Sequence, residues 1–235
     1  TRDLNLRGLH GRLNATRLAG AVRAGAEAEG QTLRADLAQG PYRVRVDAAR
    51  RGDRLEIRAA NLRAGGGELA LSGDADLSGP LPFRAKGLLR RFNPAAFGDY
   101  PAADLNASLA LSGRLRPTWQ TELALEFRDS RFLGQSLAGR GQVAVSPQRL
   151  AKADLALRLG ENRLSAEGAL GAPGDRLQWR LEAKNLEALQ PGWAGRLSAS
   201  GVVEGTFGQP YGSFAATATD LRLPEGRRLA RLRAT

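Results

Sequence analysis

Tyr42-Arg43-Val44-Arg45-Val46-Asp47-Ala48 alternates without a break between apolar and charged residues. Successive side chains of an extended strand point to opposite faces. The run therefore has an apolar face (Tyr42, Val44, Val46, Ala48) and a wet one (Arg43, Arg45, Asp47). An amphipathic helix would instead need apolar residues at i, i+3, i+4 and i+7. The period of two recurs along the chain. Leu55, Ile57 and Ala59 alternate with Glu56 and Arg58, and Leu105, Leu109 and Leu111 share one parity. Leu123, Leu125 and Phe127 form a set, as do Leu155, Leu157 and Leu159, and Leu177, Trp179 and Leu181.

Leucine and alanine are modest strand formers, and by propensity alone 105–111 or 151–159 would be helical. Glycine supports the period instead. The 29 glycines recur at roughly eight-residue spacing, too densely for stable helices. Short alternating runs with turn signals between them predict an all-β chain of about 16 strands. One stretch, Gly87–Pro101, breaks the alternation and reads as a short helix or an excursion covering a sheet end. Phe83, Phe127, Phe132, Trp119, Trp179 and Trp193 are the main bulky fillers.

The chain also echoes itself. Asn or Asp followed by Leu recurs at Asn61-Leu62, Asp76-Leu77, Asp104-Leu105, Asp154-Leu155, Asn185-Leu186 and Asp220-Leu221. In this phrase the polar residue suits a turn or strand edge and the leucine opens the next inward row. Gly66–Gly73 parallels Glu161–Gly168, and Ser112-Gly113 parallels Glu204-Gly205. These displacements of about 95 residues suggest tandem units over 55–150 and 151–223, within one continuous elongated segment spanning 1–235.

Charge narrows the partners. The 235 residues carry a net charge of +11, and nearly all the positive charge is arginine. The arginines are spread between apolar residues rather than clustered with aromatics, which argues against nucleic acid. No apolar run reaches the ~20 residues that cross a bilayer. No signal peptide opens the chain, and Thr1 is not a natural start. Any targeting or anchoring segment is expected outside it.

Chemistry is sparse. There is no cysteine, and the single histidine, His10, reads as a turn or surface residue rather than a metal ligand. No Gly-x-Ser-x-Gly elbow has a usable base. Asp74 and Asp76 share a solvated strand face rather than a cleft. Gly65-Gly66-Gly67 lacks the following Lys-Ser/Thr of a phosphate loop and reads as a hairpin turn. No catalytic residue, cofactor site or metal site is expected.

The run Leu55–Phe127 resembles the TamB family, within the AsmA-like group of Gram-negative envelope proteins. The resemblance rests on Asn61-Leu62, on Gly67-Glu68-Leu69-Ala70-Leu71-Ser72-Gly73, and on the break Phe92-Asn93-Pro94-Ala95-Ala96-Phe97-Gly98. It rests also on Asp104-Leu105-Asn106-Ala107-Ser108-Leu109-Ala110-Leu111-Ser112-Gly113. A looser match covers Asp154–Leu223, whereas residues 1–53 match in texture only. The resemblance implies a mid-length segment of a β-taco: an elongated, curved antiparallel or mixed sheet, folded into a U-shaped groove with a hydrophobic interior.

It further implies a periplasmic protein anchored in the inner membrane outside this segment. Two activities follow from it. One is phospholipid movement to the outer membrane; the other is assembly of autotransporters and other outer-membrane proteins with TamA, an Omp85-class barrel contacted outside this segment. On that reading, Leu105, Leu109, Leu111, Leu123, Leu125, Phe127, Leu155, Leu157, Leu159, Leu177, Trp179 and Leu181 line the groove and accept acyl chains. The competing reading is a scaffold that guides unfolded outer-membrane proteins by β-augmentation, without lipid.

Overall fold

The computed structural model describes residues 2–7, 11–13, 16–27, 30–97, 99–190, 192–222 and 228–234. His10 lies outside them. The chain divides into two compact units, residues 1–119 and 120–235, each treated by itself.

The first unit contains β1 (Arg2–Arg7), β2 (Gly11–Leu13), β3 (Thr16–Glu27), β4 (Gly30–Gln39) and β5 (Tyr42–Arg51). It continues with β6 (Arg54–Ala64), β7 (Gly67–Asp76), β8 (Pro82–Phe92) and β9 (Ala103–Arg114). β1 and β2 both pair with β3, and from β3 onward each strand pairs antiparallel with the next. Register converts parity into rows. Leu37, Val44, Leu62, Leu69, Leu89 and Ala107 stand opposite one another in succession, and Ala35, Val46, Ala60, Leu71, Gly87 and Leu109 form the next row.

A register shift between Ile57 and Ala60 interrupts β6. Such a bulge adds a residue, so parity changes across it. Ala59 therefore leaves the set it shares in sequence with Leu55 and Ile57, and stands opposite Asp47 on the wet face. Gly65 and Gly66 both have positive φ, as a tight β6–β7 hairpin turn requires.

The expected break at 87–101 is shorter than its sequence suggests. β8 runs on to Phe92, and the connection to β9 occupies residues 93–102 around a 3-10 turn, Pro94–Ala96. Asn93 Oδ1 caps it, accepting from the Ala95 and Ala103 amides at 3.2 and 3.1 Å. Phe97 stacks on Phe92 with ring centroids 5.2 Å apart, and Ala96 and Phe97 pack on Tyr42 and Ala64. The Tyr42 hydroxyl donates to the Ala96 carbonyl. The segment thus covers one end of the Leu37–Val44 row.

The second unit contains β10 (Gln120–Phe132), β11 (Gln135–Val145), β12 (Leu150–Leu159) and β13 (Asn162–Leu170). It ends with β14 (Arg176–Ala183), β15 (Ala194–Gly205), β16 (Pro210–Arg222) and β17 (Arg228–Ala234). Each strand again pairs antiparallel with the next, with no parallel pair among these registers. Register shifts in β10, β12 and β16 bend the strands. Each unit is therefore all-β, a curved antiparallel sheet of the taco kind.

The β14–β15 connection, residues 184–193, is a second cap. Asn162, 2% exposed, holds it with a reciprocal pair of hydrogen bonds. Its Nδ2 donates to the Asn185 carbonyl at 2.9 Å, and the Asn185 amide donates to its Oδ1 at 3.0 Å. Leu186 and Leu189 then pack on Ala183, Leu197, Ala218 and Leu221.

The Asn/Asp-Leu phrase does not mark turns uniformly. Asn61, Asp104, Asp154 and Asp220 sit within strands, because a strand's wet face accepts a polar residue as readily as a turn does.

Candidate functional site

The same-parity sets of the second unit meet on one face. Leu125 stands opposite Gly141, which faces Leu155, then Ala166, Trp179, Gly201 and Phe214 across six successive strand pairs. The neighbouring row runs Phe127, Gly139, Leu157, Leu164, Leu181, Ala199 and Ala216, and the third runs Leu123, Val143, Ala153, Gly168, Leu177, Val203 and Gly212. Leu159 lies beside these rows, between Leu137 and the buried Asn162, at the end the cap covers. Leu105, Leu109 and Leu111 belong to β9 in the first unit, where Leu109 and Leu111 continue the rows ending in Gly87 and Ala85.

Small residues are what let the rows mesh. A Cβ on Gly141 would come within 2.9 Å of Leu155 Cδ1, and one on Gly201 within 3.0 Å of Trp179 Nε1. A Cβ on Gly87 would meet Leu109 Cδ1 at 2.9 Å. The large side chains lean into these slots. They are nevertheless not sealed. Among the described residues, the fully buried apolar positions are mainly alanines, and in the three rows only Ala153 and Ala199 qualify. Every Leu, Val, Phe and Trp of those rows is half-buried or exposed, with Leu164 at 38% and Phe214 at 52%. A sandwich core would bury them.

Sequence parity misses Leu164, Val143, Val203 and Phe214. Leu164 and Ala166 share a parity in β13, but a two-residue signal is weak. Trp119 and Trp193, read as fillers, lie outside the strands and are 40% and 37% exposed.

The polar side chains pair with one another at several places. Arg43 Nη2 lies 2.6 Å from Asp36 Oδ2, and Arg45 Nε lies 3.2 Å from the same oxygen. The hydrogen bond from Arg43 is the main cause that pulls the Asp36 carboxyl down to about 2. Arg149 grips Asp175 through two bonds of 2.9 and 2.8 Å. Asp76 accepts from the Ser78 hydroxyl and amide at 2.6 and 2.9 Å, which lowers its pKa. It thus closes a turn rather than pairing with Asp74 in a cleft. Among the described residues, no group of three or more His, Cys, Asp or Glu is placed to hold a metal, and no helix is long and apolar enough to cross a membrane.

The family model described as TamB, N-terminal domain, matches residues 29–235. The match reaches upstream of residue 54, where the sequence resembles the family in texture only, and its description is the N-terminal domain rather than a mid-length segment. No curated protein and no solved structure matches the chain.

Proposed function

Because the chain belongs to the TamB family, a translocation and assembly module of the cell envelope, we propose that the apolar rows of β10–β16 shield phospholipid acyl chains in the periplasm. The observation that carries this reading is the unsealed state of the rows. Three adjacent rows of leucine, valine and aromatic side chains run across seven paired strands, and none of those large side chains is fully buried. An apolar surface of that extent favours an apolar occupant over water. Each methylene shielded contributes about 0.8 kcal/mol without any demand for shape, so the site would accept acyl chains of differing length. Headgroups would remain in water. Partnership with a TamA-like Omp85 barrel, through regions outside these residues, and a role in autotransporter assembly belong to the same proposal.

The test places a photo-crosslinking residue at Leu125 or Leu157 and, on the other face, at Glu126 or Gln178. Phospholipid labelling at the first pair and not the second is expected. Equal labelling on both faces overturns the reading, and crosslinks to unfolded outer-membrane protein in place of lipid would favour the strand-guiding scaffold.

A further inference from the structure

In the second unit lies a concavity of about 410 Å³ with a cationic rim. Small residues of the wet-face parity, Ala138, Ala156 and Ser165, line it with Arg158, Arg163, Arg180 and Glu182, and Gly139, Leu157 and Leu164 of the neighbouring apolar row complete the lining. Arg158 and Arg163 are directly opposed across β12–β13, and Arg180 is opposite Ser165 across β13–β14. Like charges facing each other across a strand pair repel. One opposed pair in the first unit, Arg43 and Arg63, has that repulsion answered, since Asp36 lies 2.6 Å from Arg43 and Glu68 lies 3.6 Å from Arg63. Arg51 and Arg54, by contrast, face each other with no carboxylate within 4.0 Å among the described residues.

At the concavity no such answer is built in. Among the described residues, none of the three arginines has a carboxylate within 4.0 Å; Arg158 Nε donates to the Gly160 carbonyl at 2.9 Å. Glu182 stands opposite Arg163 but is not within ion-pairing distance of it, so the rim keeps a positive excess. Planar guanidiniums present paired donors that match the oxygens of a phosphate ester, and the small residues of the lining leave room for its substituent.

We infer that Arg158, Arg163 and Arg180, side chains of the wet-face parity in β12–β14, form an anion site for a phosphate ester. The ester could be soluble or could be the headgroup of an anionic lipid, and the experiment separates the two. The chain is titrated with glycerol 3-phosphate while the arginine side-chain NMR signals are followed. In parallel it is co-sedimented with phosphatidylglycerol vesicles, against phosphatidylcholine vesicles. Arg163→Gln and Arg180→Gln are each expected to weaken binding roughly tenfold, the loss of one charge-assisted contact. Glu182→Gln, which removes the carboxylate at the rim, is expected to tighten it.

Arg84→Gln removes the same charge from an exposed position of β8 in the first unit, which does not line the concavity, and is expected to change binding little. Binding of glycerol 3-phosphate assigns the site to soluble esters, and binding of vesicles alone assigns it to headgroups. Either supports the inference, provided the three variants behave as stated. Equal weakening by Arg84→Gln, an unchanged affinity in Glu182→Gln, or no binding of either probe overturns it. None of these outcomes depends on crosslinking at Leu125 or Leu157, so the two readings fail separately.

Discussion

A methyl group added to Gly168 would overlap the Arg176 carbonyl oxygen, and the backbone there has φ of 126°. No L side chain adopts that conformation without strain, and backbone cannot move aside cheaply. Gly168→Ala is expected to lower stability by about 2 kcal/mol or more in urea unfolding. Gly141 offers the contrast: a Cβ there meets only the flexible tip of Leu155, at 2.9 Å. Gly141→Ala is expected to stay within about 1 kcal/mol of the parent.

Asp36 makes a pH prediction. Its carboxyl is held at about 2, against an ordinary 3.8 that the unfolded chain regains. A depressed folded pKa stabilises above the unfolded value and is lost as pH falls through the folded one. The contribution is therefore complete above about pH 4 and fades toward pH 2. Both partners are nearly half exposed, so it amounts to less than about 1 kcal/mol. Asp36→Asn should remove that part of the acid dependence while leaving stability at neutral pH within the same margin, as followed by circular dichroism.

Among the elements, the two caps differ in how far sequence foretells them. The connection at 93–102 contains Pro94 and two phenylalanines that break the alternation, and a reader of the residue order alone can see the break. The connection at 184–193 is not visible in that way. Asn185-Leu186 looks like one more copy of a recurring phrase, and the residue that holds it, Asn162, lies 23 positions away. Strand bulges are hidden for a similar reason. Arg91, Asp129 and Asp220 have positive φ, a conformation that side chain type alone does not announce.

Asn162→Ala would leave the Asn185 amide and carbonyl without their partner. It is expected to cost about 1–3 kcal/mol and to raise hydrogen exchange in 184–193 ahead of the strands. Exchange that rises uniformly along β12–β16 would instead show that the cap and sheet open together.

At the scale of the whole molecule, the fold class was legible because a period of two is a local property, readable within six or seven residues of a strand such as Tyr42–Ala48. The candidate surface was legible in part. Leu123, Leu125 and Phe127 could be assigned to one face from their own strand, but their alignment with Leu155 and Trp179 depends on register, which Gly141 and Ala166 fix from between. A sheet built in this way should tolerate a charge on its apolar face better than a sealed core does. Leu125→Arg is expected to keep a cooperative unfolding transition and a β-rich circular dichroism spectrum, while co-purified phospholipid measured by mass spectrometry falls roughly tenfold. Global unfolding would mean that Leu125 is ordinary core.

The pairing of each strand from β3 to β9, and again from β10 to β17, with its immediate successor also bears on biogenesis. No segment in either series waits for a partner synthesised much later. Such a chain can zip up strand by strand in the order of synthesis, with a single unsatisfied edge at the growing end. Over evolutionary time, a duplicated or deleted hairpin would change the length by about 9.6 Å and return the following strand to its original direction.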